Sequence, residues 1–455
     1  MPANPHLRPS LCAVDIFCSA AAPSLVVASL EAALAGVDVV VAHPLLGAAT
    51  AALCEARGIP WVLALLLPVF QTASFPDVVV CGGGAALACL NSPRLNCASY
   101  ALLGLIFWRS QRTWAAPLRI RLGLPPAGWL GPCGSSHLAS LGVPVLMATS
   151  LCMVPGNERP ADWPPNVVVT GFLTLPRVSR PLQRLHPALA AFVAAADPLR
   201  RPLVVIGFGS MPFPGGKTAL VRLAADAAAA GALRVLLLTG WTTAVGDDDG
   251  DDDDCTQAIA AAGAGTLFVA RSAPHDALLP RVSAVAHHGG AGTCGACLAA
   301  GVPQVPCPLF VDQPHNAACL VALGVAPCSL PLGRLCGASL GAALSSAARD
   351  GRYAEAARAA AAAVAAESAG GMKTAVEAVV TARMPHAWAA RLRGGGCVAG
   401  DGATAAAAGK WRRRGGARPS ERGVVTEAVA AAAVAAAGAV MVAVFVLTAR
   451  SYDQR

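Results

Sequence analysis

Short, uninterrupted apolar runs recur along this chain, with helix candidates between them. Strands that are apolar along their whole length lie in sheets covered on both faces, and intervening helices make neighbouring strands parallel. The sequence therefore predicts an α/β protein built on parallel sheets. The strand candidates are 37–42, 60–67, 143–148, 167–170, 203–208, 234–239, 266–270, 282–287 and 302–307, and the helix candidates are 48–57, 218–230, 352–367 and 373–383.

The spacing of these runs divides the chain into two α/β domains. Four strand candidates fall in 1–175 and five in 203–383, and a Pro-rich linker over 176–202 separates them. We predict that both are Rossmann-like, doubly wound domains. A basic, Gly- and Arg-rich linker follows over 384–427.

Composition excludes several classes of protein. Hydrophobic residues make up 55% of the chain and charged residues 13%, which excludes intrinsic disorder for most of it. From residue 381 onward, 11 Lys and Arg face four acidic residues and supply seven of the eight net positive charges. The preceding body is nearly neutral and gives no indication of nucleic-acid binding. The 16 cysteines are scattered and no signal-peptide pattern opens the chain, which favours reduced thiols in the cytoplasm.

The C-terminal segment Ala428–Ala449 predicts a transmembrane helix. It contains 22 residues without a charge, and as a helix it spans about 33 Å, enough for a hydrocarbon core of about 30 Å. Six cations precede it, which places the main body on the cytoplasmic side of a membrane as in a tail-anchored protein, and they also attract anionic lipid surfaces. They are Lys410, Arg412, Arg413, Arg414, Arg418 and Arg422. The alternative is a soluble tail on a cytoplasmic protein.

One turn has the composition of an anion-binding site. A strand candidate runs into His288, a Gly-rich turn and a helix candidate. Glycines let backbone N–H groups approach an anion, and the helix N-terminus favours negative charge. A diphosphate fits this turn, with a hydrogen bond or positive charge from His288 and a hydroxyl from Thr293; a tight turn with an incidental His pair is the alternative. The backbone donors come from Gly289, Gly290 and Gly292.

Three weaker signals accompany this turn. Asp312 and Gln313 pair a carboxylate with a carboxamide, which can hold vicinal sugar hydroxyls, although such a pair is commonly surface polarity. Gly209–Ser210 forms a second anion-facing turn after the strand candidate at 203–208. Cys294 and Cys297 have metal-ligand spacing without a second pair, so we interpret them as buried thiols and predict no metal.

Six motifs in fixed order resemble the C-terminal domain of GT-B glycosyltransferases, and are most similar to the sterol 3-beta-glucosyltransferase group, which is related to family 28 and macrolide-type transferases. Segments 161–172 and 38–62 resemble that group's interdomain segment and the later part of its N-terminal domain. The six motifs are GFGSM (207–211), LLLTGW (236–241), SAPHDALLPRV (272–282), HHGGAGT (287–293), AAGVPQVPCPLFVDQPHNA (299–317) and ALGVAP (322–327).

The resemblance implies transfer of glucose from UDP-glucose to a hydroxyl, often of a sterol or other lipophilic acceptor, with inversion and without a resident cofactor. It implies that Ser210 and the His288–Thr293 turn face the diphosphate, and that Asp312 and Gln313 hold the sugar. The uridine base would face a run in which serine replaces the tryptophan of many plant relatives. That run is Ser272, Ala273, Pro274 and His275.

The front of the chain departs from the family pattern. Such enzymes open with a strand, a Gly-rich turn and a helix, and their N-terminal domain supplies the base that activates the acceptor. Here the resemblance begins at about Val37, so we expect the N-terminal domain to be incomplete. His43 follows a strand candidate and is interpreted as a strand-end residue, so the sequence names no catalytic base. The alternative function is a non-catalytic nucleotide-sugar-binding module that needs a partner for the missing half.

Overall fold

The computed structural model describes residues 23–82, 92–173, 185–195, 197, 199–209, 211–240, 257–260, 263, 265–386 and 388–389. These residues form two parallel α/β units, in agreement with the predicted fold class. The N-terminal unit contains strands β1–β4 and the C-terminal unit strands β5–β9. Every observed strand lies within a predicted apolar run and is shorter than that run, because only some residues of each run pair with a neighbouring strand.

The N-terminal unit is built on a four-stranded sheet in the order β1-β2-β3-β4, with all pairs parallel. Its strands are buried between helices, as their continuous apolar character predicts. The strands are β1 (Val40–Ala42), β2 (Trp61–Leu65), β3 (Val145–Met147) and β4 (Val167–Val169). The helices are α1 (Pro23–Ala33), α2 (Pro44–Arg57), α3 (Pro93–Arg121) and α4 (Ser135–Leu141).

Helix α3 was not predicted. It spans 29 residues and contains Pro117, and its solvent-facing side carries exposed leucines, including Leu102 and Leu105. Apolar residues on both faces hide the 3.6-residue period that identifies an amphipathic helix, and an internal proline argues against a continuous one. Packing against α2 therefore decides this helix more than its pattern does.

The C-terminal unit is built on a five-stranded parallel sheet in the order β7-β6-β5-β8-β9. The chain moves outward from β5 through β6 to β7 and then crosses to β8 on the other side of β5. The strand order therefore reverses between β5 and β8, which is where open α/β sheets bind ligands. The strands are β5 (Leu203–Gly207), β6 (Arg234–Leu238), β7 (Leu267–Ala270), β8 (Ala284–His287) and β9 (Gln304–Pro306).

Several helices cover or follow this sheet in the part of the chain that the structure describes. The helices that follow β5, β7, β8 and β9 begin at its carboxyl edge, where the predicted site lies. The helices are α5 (Pro187–Ala194), α6 (Gly216–Gly231), α7 (His275–Leu278), α8 (Ala291–Ala300), α9 (Gln313–Ala322), α10 (Gly337–Arg349) and α11 (Gly351–Thr381).

Helix α11 is one helix of 31 residues, although the sequence predicted two helices with a break near Gly370–Gly371. Its last turns leave the C-terminal unit and pack on the N-terminal sheet, where Val376 and Val379 join a buried cluster with Val62 and Leu146. Gly371 is buried where the helix packs against the chain after β4, whereas Gly370 is exposed, and the helix continues through both. The N-terminal sheet therefore includes part of the predicted 203–383 domain in its core.

The predicted membrane helix at 428–449 lies outside the described residues. Within the part of the chain that the structure describes, no helix is long and apolar enough to cross a membrane.

Candidate functional site

A crevice opens at the carboxyl ends of β5 and β8, where the strand order reverses. Gly207 pairs with His287 across these strands, and the next residues of each strand meet above the sheet. A Cβ atom on Gly209 would lie 3.2 Å from Cε1 of His288, so the imidazole lies directly against this backbone. The structure thus brings together two segments predicted to face a diphosphate, at the position where α/β sheets bind ligands.

The two adjacent histidines have different environments. His287 is fully buried, and its Nδ1 accepts the Gly289 amide at 3.0 Å. Because Nδ1 is an acceptor, Nε2 carries the proton and donates to Oε1 of Gln304 at 2.8 Å. Burial lowers the pKa of His287 to about 3. This residue therefore holds the turn in place from within the sheet.

His288 is the histidine with free hydrogen-bonding capacity. Its side chain is 5% exposed, and its Nδ1 has no hydrogen-bond partner among the described residues. Burial lowers its pKa to about 4, so the ring is neutral near pH 7. His288 can therefore offer a hydrogen bond, one of the two contributions that the sequence predicts for it.

The glycines of the turn make room for His288 and for α8. Gly289 has φ +85°, a conformation that favours glycine. A Cβ atom on Gly290 would lie 2.3 Å from Nε2 of His288, so a side chain at this position would displace the ring. Gly292 and Thr293 lie in the first turn of α8, partly accessible to solvent. Backbone N–H groups in a first helical turn have no partner within the helix and are available to an anion.

Asp312 lies beside this turn, at the N-cap of α9. Its carboxylate makes no capping bond to its own helix. Instead its Oδ2 accepts a hydrogen bond from Nδ2 of Asn316 at 2.8 Å. Burial raises the pKa of Asp312 to about 6, although hydrogen bonds from its own amide, Asn316 and the Ala291 amide oppose the rise. The carboxylate therefore lies between α9 and the N-terminus of α8, close to the proposed diphosphate position.

Gln313 is buried and its Oε1 is already used within the protein. It accepts the amides of Leu309 and Phe310 at 2.7 and 3.3 Å and so closes the loop between β9 and α9. That loop contains Val311 at φ +60°, an unusual conformation for a β-branched residue. The Gln313 amide nitrogen is the part of the side chain that this contact leaves for a sugar.

Asn316 connects the Gly-rich turn to Asp312, although it is not among the predicted site residues. Its Nδ2 donates both to the Gly289 carbonyl at 2.9 Å and to Asp312. Asn316 lies four residues after Asp312, and this spacing places the two side chains on one face of a helix. The spacing is the feature of the sequence from which the role of Asn316 could have been predicted. One carboxamide thus fixes the distance between the Gly-rich turn and the predicted sugar-binding carboxylate.

The run predicted to face the base follows β7, the edge strand. Ser272, Pro274 and His275 are exposed and Ala273 is partly buried. Strand β7 lies two strands from β5, or about 10 Å at ~4.8 Å per strand, on the same carboxyl edge. The run is therefore separated from the His288 turn, as the two ends of an elongated ligand require. Ser210 lies outside the described residues.

His43 begins helix α2. Its Nδ1 accepts the Leu45 amide at 3.4 Å, so its Nε2 carries the proton. Burial lowers its pKa to about 4. The side chain is a helix cap at the end of β1, in keeping with its interpretation as a strand-end residue.

Cys294 and Cys297 are buried in α8, and burial raises the pKa of both thiols. Within the described ranges, no group of three or more His, Cys, Asp or Glu side chains is arranged to hold a metal ion. Their packing in the core is that of small apolar side chains.

Comparison with known proteins identifies relatives for this arrangement. Residues 264–375 match the family model described as the C-terminal domain of erythromycin biosynthesis protein CIII-like proteins. The matched range includes the His288 turn and the Asp312–Asn316 segment.

Three curated relatives extend the similarity. The chain is 30% identical over 275 residues to a terpene cyclase-glycosyl transferase fusion protein of Humicola fuscoatra, covering 59% of the chain and 18% of the relative. It is 28% identical over 303 residues to the sterol 3-beta-glucosyltransferase of Candida albicans, covering 66% of the chain and 18% of the relative. The chain therefore spans about a fifth of the length of these two proteins.

The third relative matches over most of its length. The O-mycaminosyltylonolide 6-deoxyallosyltransferase of Streptomyces fradiae is 35% identical over 331 residues, which cover 72% of the chain and 69% of the relative. Similarity of this extent shows the family: the chain belongs to the GT-B glycosyltransferases.

Proposed function

We propose that the chain transfers a hexose, glucose in the first instance, from a UDP-sugar to a hydroxyl of a sterol or other lipophilic acceptor. The observation that carries the proposal is the position of His288 against Gly209 at the β5–β8 crevice, with its Nδ1 unpartnered among the described residues. Gly209 and Gly290 lie against the His288 ring, and a Gly-rich turn that leads into a helix N-terminus suits an anionic group with several oxygens.

The donor would lie along the carboxyl edge of the C-terminal sheet. Its diphosphate would contact Gly209, Ser210, His288 and the backbone of Gly289, Gly290, Gly292 and Thr293. Its sugar would contact Asp312 and the free amide of Gln313, and its base the Ser272–His275 run. The nucleotide sugar is a co-substrate in this proposal, and the reaction uses no resident cofactor.

The acceptor side rests on two kinds of support. A sterol glucosyltransferase is among the relatives. In addition, Leu102, Leu105, Arg109 and Arg112 are exposed on α3 at spacings of three or four residues, so they share one face. An apolar face with arginines suits a lipid surface. We therefore propose that the protein works at the cytoplasmic side of a membrane, where a sterol is available.

Titration calorimetry on the whole chain tests donor binding. We expect UDP and UDP-glucose to bind, and His288→Ala to weaken binding by about 1.5–3 kcal/mol, the scale of a hydrogen bond to a charged group. His186→Ala is the matched control, because His186 is exposed before α5 and makes no capping bond there. A folded wild-type chain that does not bind either nucleotide at millimolar concentration would disprove the proposal.

A turnover assay distinguishes a glycosyltransferase from a non-catalytic nucleotide-sugar-binding module. Radiolabelled UDP-glucose and a sterol in mixed micelles should yield labelled steryl glucoside only slowly with the wild-type chain, because no acceptor-activating base is identified and such a base contributes about 10²–10⁴ in rate. Tight donor binding without transfer to a sterol, a macrolide or another hydroxyl acceptor would favour the non-catalytic nucleotide-sugar-binding module instead.

Attachment to membranes is tested by truncation. The full chain should sediment with membranes and resist carbonate extraction, whereas a chain that ends at Arg422 should be released, because it lacks the 22 uncharged residues. Release of the full chain by salt alone would reduce this part of the proposal to electrostatic surface binding.

A further inference from the structure

His315 extends from the first turn of α9 into the N-terminal unit. Its Nε2 lies 2.9 Å from the carbonyl oxygen of Met153, in the short 3-10 helix Leu151–Met153 that follows β3. A carbonyl only accepts, so Nε2 carries the proton and donates. The side chain is 5% exposed, and burial lowers its pKa, so the ring is neutral near pH 7.

The same turn of α9 contains the predicted sugar-binding carboxylate. Asp312, His315 and Asn316 are spaced three and four residues apart and lie on one face of the helix. Asn316 bonds both Asp312 and the Gly289 carbonyl. A single helical turn therefore contacts the N-terminal unit, the Gly-rich turn and the proposed sugar position.

The part of the crevice proposed to bind the diphosphate is held in place by contacts that do not involve His315. His287 binds the Gly289 amide and is itself held by Gln304 from inside the sheet. Loss of the His315 contact would therefore move the first turn of α9 more than it moves the His288 turn. The sugar end of the crevice depends on the N-terminal unit, whereas the diphosphate end depends mainly on β5 and β8.

We propose that His315 is a positioning residue, which sets Asp312 at the sugar of the donor only while the Leu151–Met153 segment of the N-terminal unit is in contact with α9. Contact between the two units thereby controls how the sugar is held. This inference rests on the proposed function, because it assigns a role to the sugar end of the same donor site.

Two substitutions in the whole chain separate the hydrogen bond from packing. His315→Leu removes the hydrogen-bond donor and fills the space with an apolar side chain. In His315→Gln, the amide nitrogen can still donate to the Met153 carbonyl. We expect His315→Leu to weaken UDP-glucose binding about 10-fold, the effect of one lost buried hydrogen bond, with a change of less than about 2-fold for UDP. His315→Gln should stay within about 2-fold of wild type for both.

Ser368→Ala is the matched control. Ser368 Oγ donates to the Phe172 carbonyl at 3.1 Å, and this hydrogen bond joins the units without involving α9. Its loss should leave the preference for UDP-glucose over UDP unchanged. Equal weakening of both nucleotides by His315→Leu, no weakening of either, or a His315→Gln variant as impaired as His315→Leu would overturn the positioning role.

Hydrogen exchange without nucleotide tests the same contact independently of donor binding. Amides of residues 312–316 should exchange several-fold faster in His315→Leu than in wild type, with a smaller change at 289–293 and none at either segment in Ser368→Ala. If the wild-type chain binds no nucleotide, the proposed function fails, and exchange alone decides the role of the contact. Unchanged exchange at 312–316 would then overturn it.

Discussion

Gly371 of α11 lies so close to Thr170 that a Cβ atom on the glycine would be 1.7 Å from the threonine carbonyl oxygen. This is a backbone-to-backbone contact between a helix that begins in the C-terminal unit and the chain just after β4. It lies beside the hydrogen bond from Ser368 to Phe172 and the bond from the Leu151 amide to Glu367. The absence of a side chain at residue 371 therefore determines how closely the two units approach.

Gly371→Ala should destabilise the protein by about 3 kcal/mol, because neither backbone can move without disturbing the buried contacts around it. Gly370→Ala is the matched control, since a Cβ there meets no atom within 4 Å. That neighbouring change should stabilise the helix by up to about 1 kcal/mol. Chemical denaturation of both variants measures the two effects, and a Gly371→Ala protein as stable as wild type would contradict the close contact.

Gly290→Ala should weaken UDP binding about 10-fold or more. The new Cβ would overlap Nε2 of His288 and push the imidazole away from the anion site. The 10-fold weakening is the expected effect of losing the hydrogen bond from His288 to the charged nucleotide. In a His288→Ala background the same change should cost almost nothing, because the two residues act through one contact. Calorimetry on the two single variants and the double variant completes the cycle, and additive losses would show that Gly290 acts through another group.

Asp312→Asn should stabilise the protein in a pH-dependent way. The folded pKa of about 6 exceeds the unfolded value of about 3.9, so the native state holds a proton between these values that the unfolded state releases. The stability contributed by this group is present below about pH 4 and is lost as pH rises through 6.

The gain from Asp312→Asn should therefore be about 0.5 kcal/mol or less at pH 4 and reach about 3 kcal/mol at pH 7. The asparagine can still accept from Asn316, which keeps the local geometry. Denaturant unfolding from pH 4 to pH 7 measures the difference. A gain that is constant with pH, or larger in acid, would contradict the burial of an ionised carboxylate at this position.

Much of the fold follows from local sequence pattern. Residues 203–208 and 235–238 are apolar without interruption, and short runs of that kind are typical of strands buried on both faces of a covered parallel sheet. The Gly-rich sequence after His287 likewise predicts a strand–turn–helix junction with free backbone amides, because few other sequences allow that backbone. The family resemblance and the glycosyltransferase assignment follow from the order of such motifs.

The tertiary structure decided what each of these residues does. Identical neighbours, His287 and His288, differ because one faces Gln304 inside the sheet and the other faces Gly209 across the crevice. The pKa of Asp312 and the link through Asn316 arise from α8 and α9 meeting, and Gly371 is explained only by Thr170, some 200 residues earlier in the chain. Local pattern determines secondary structure, whereas desolvation, hydrogen-bond partners and close backbone contacts depend on residues that are distant in sequence and become neighbours only after folding.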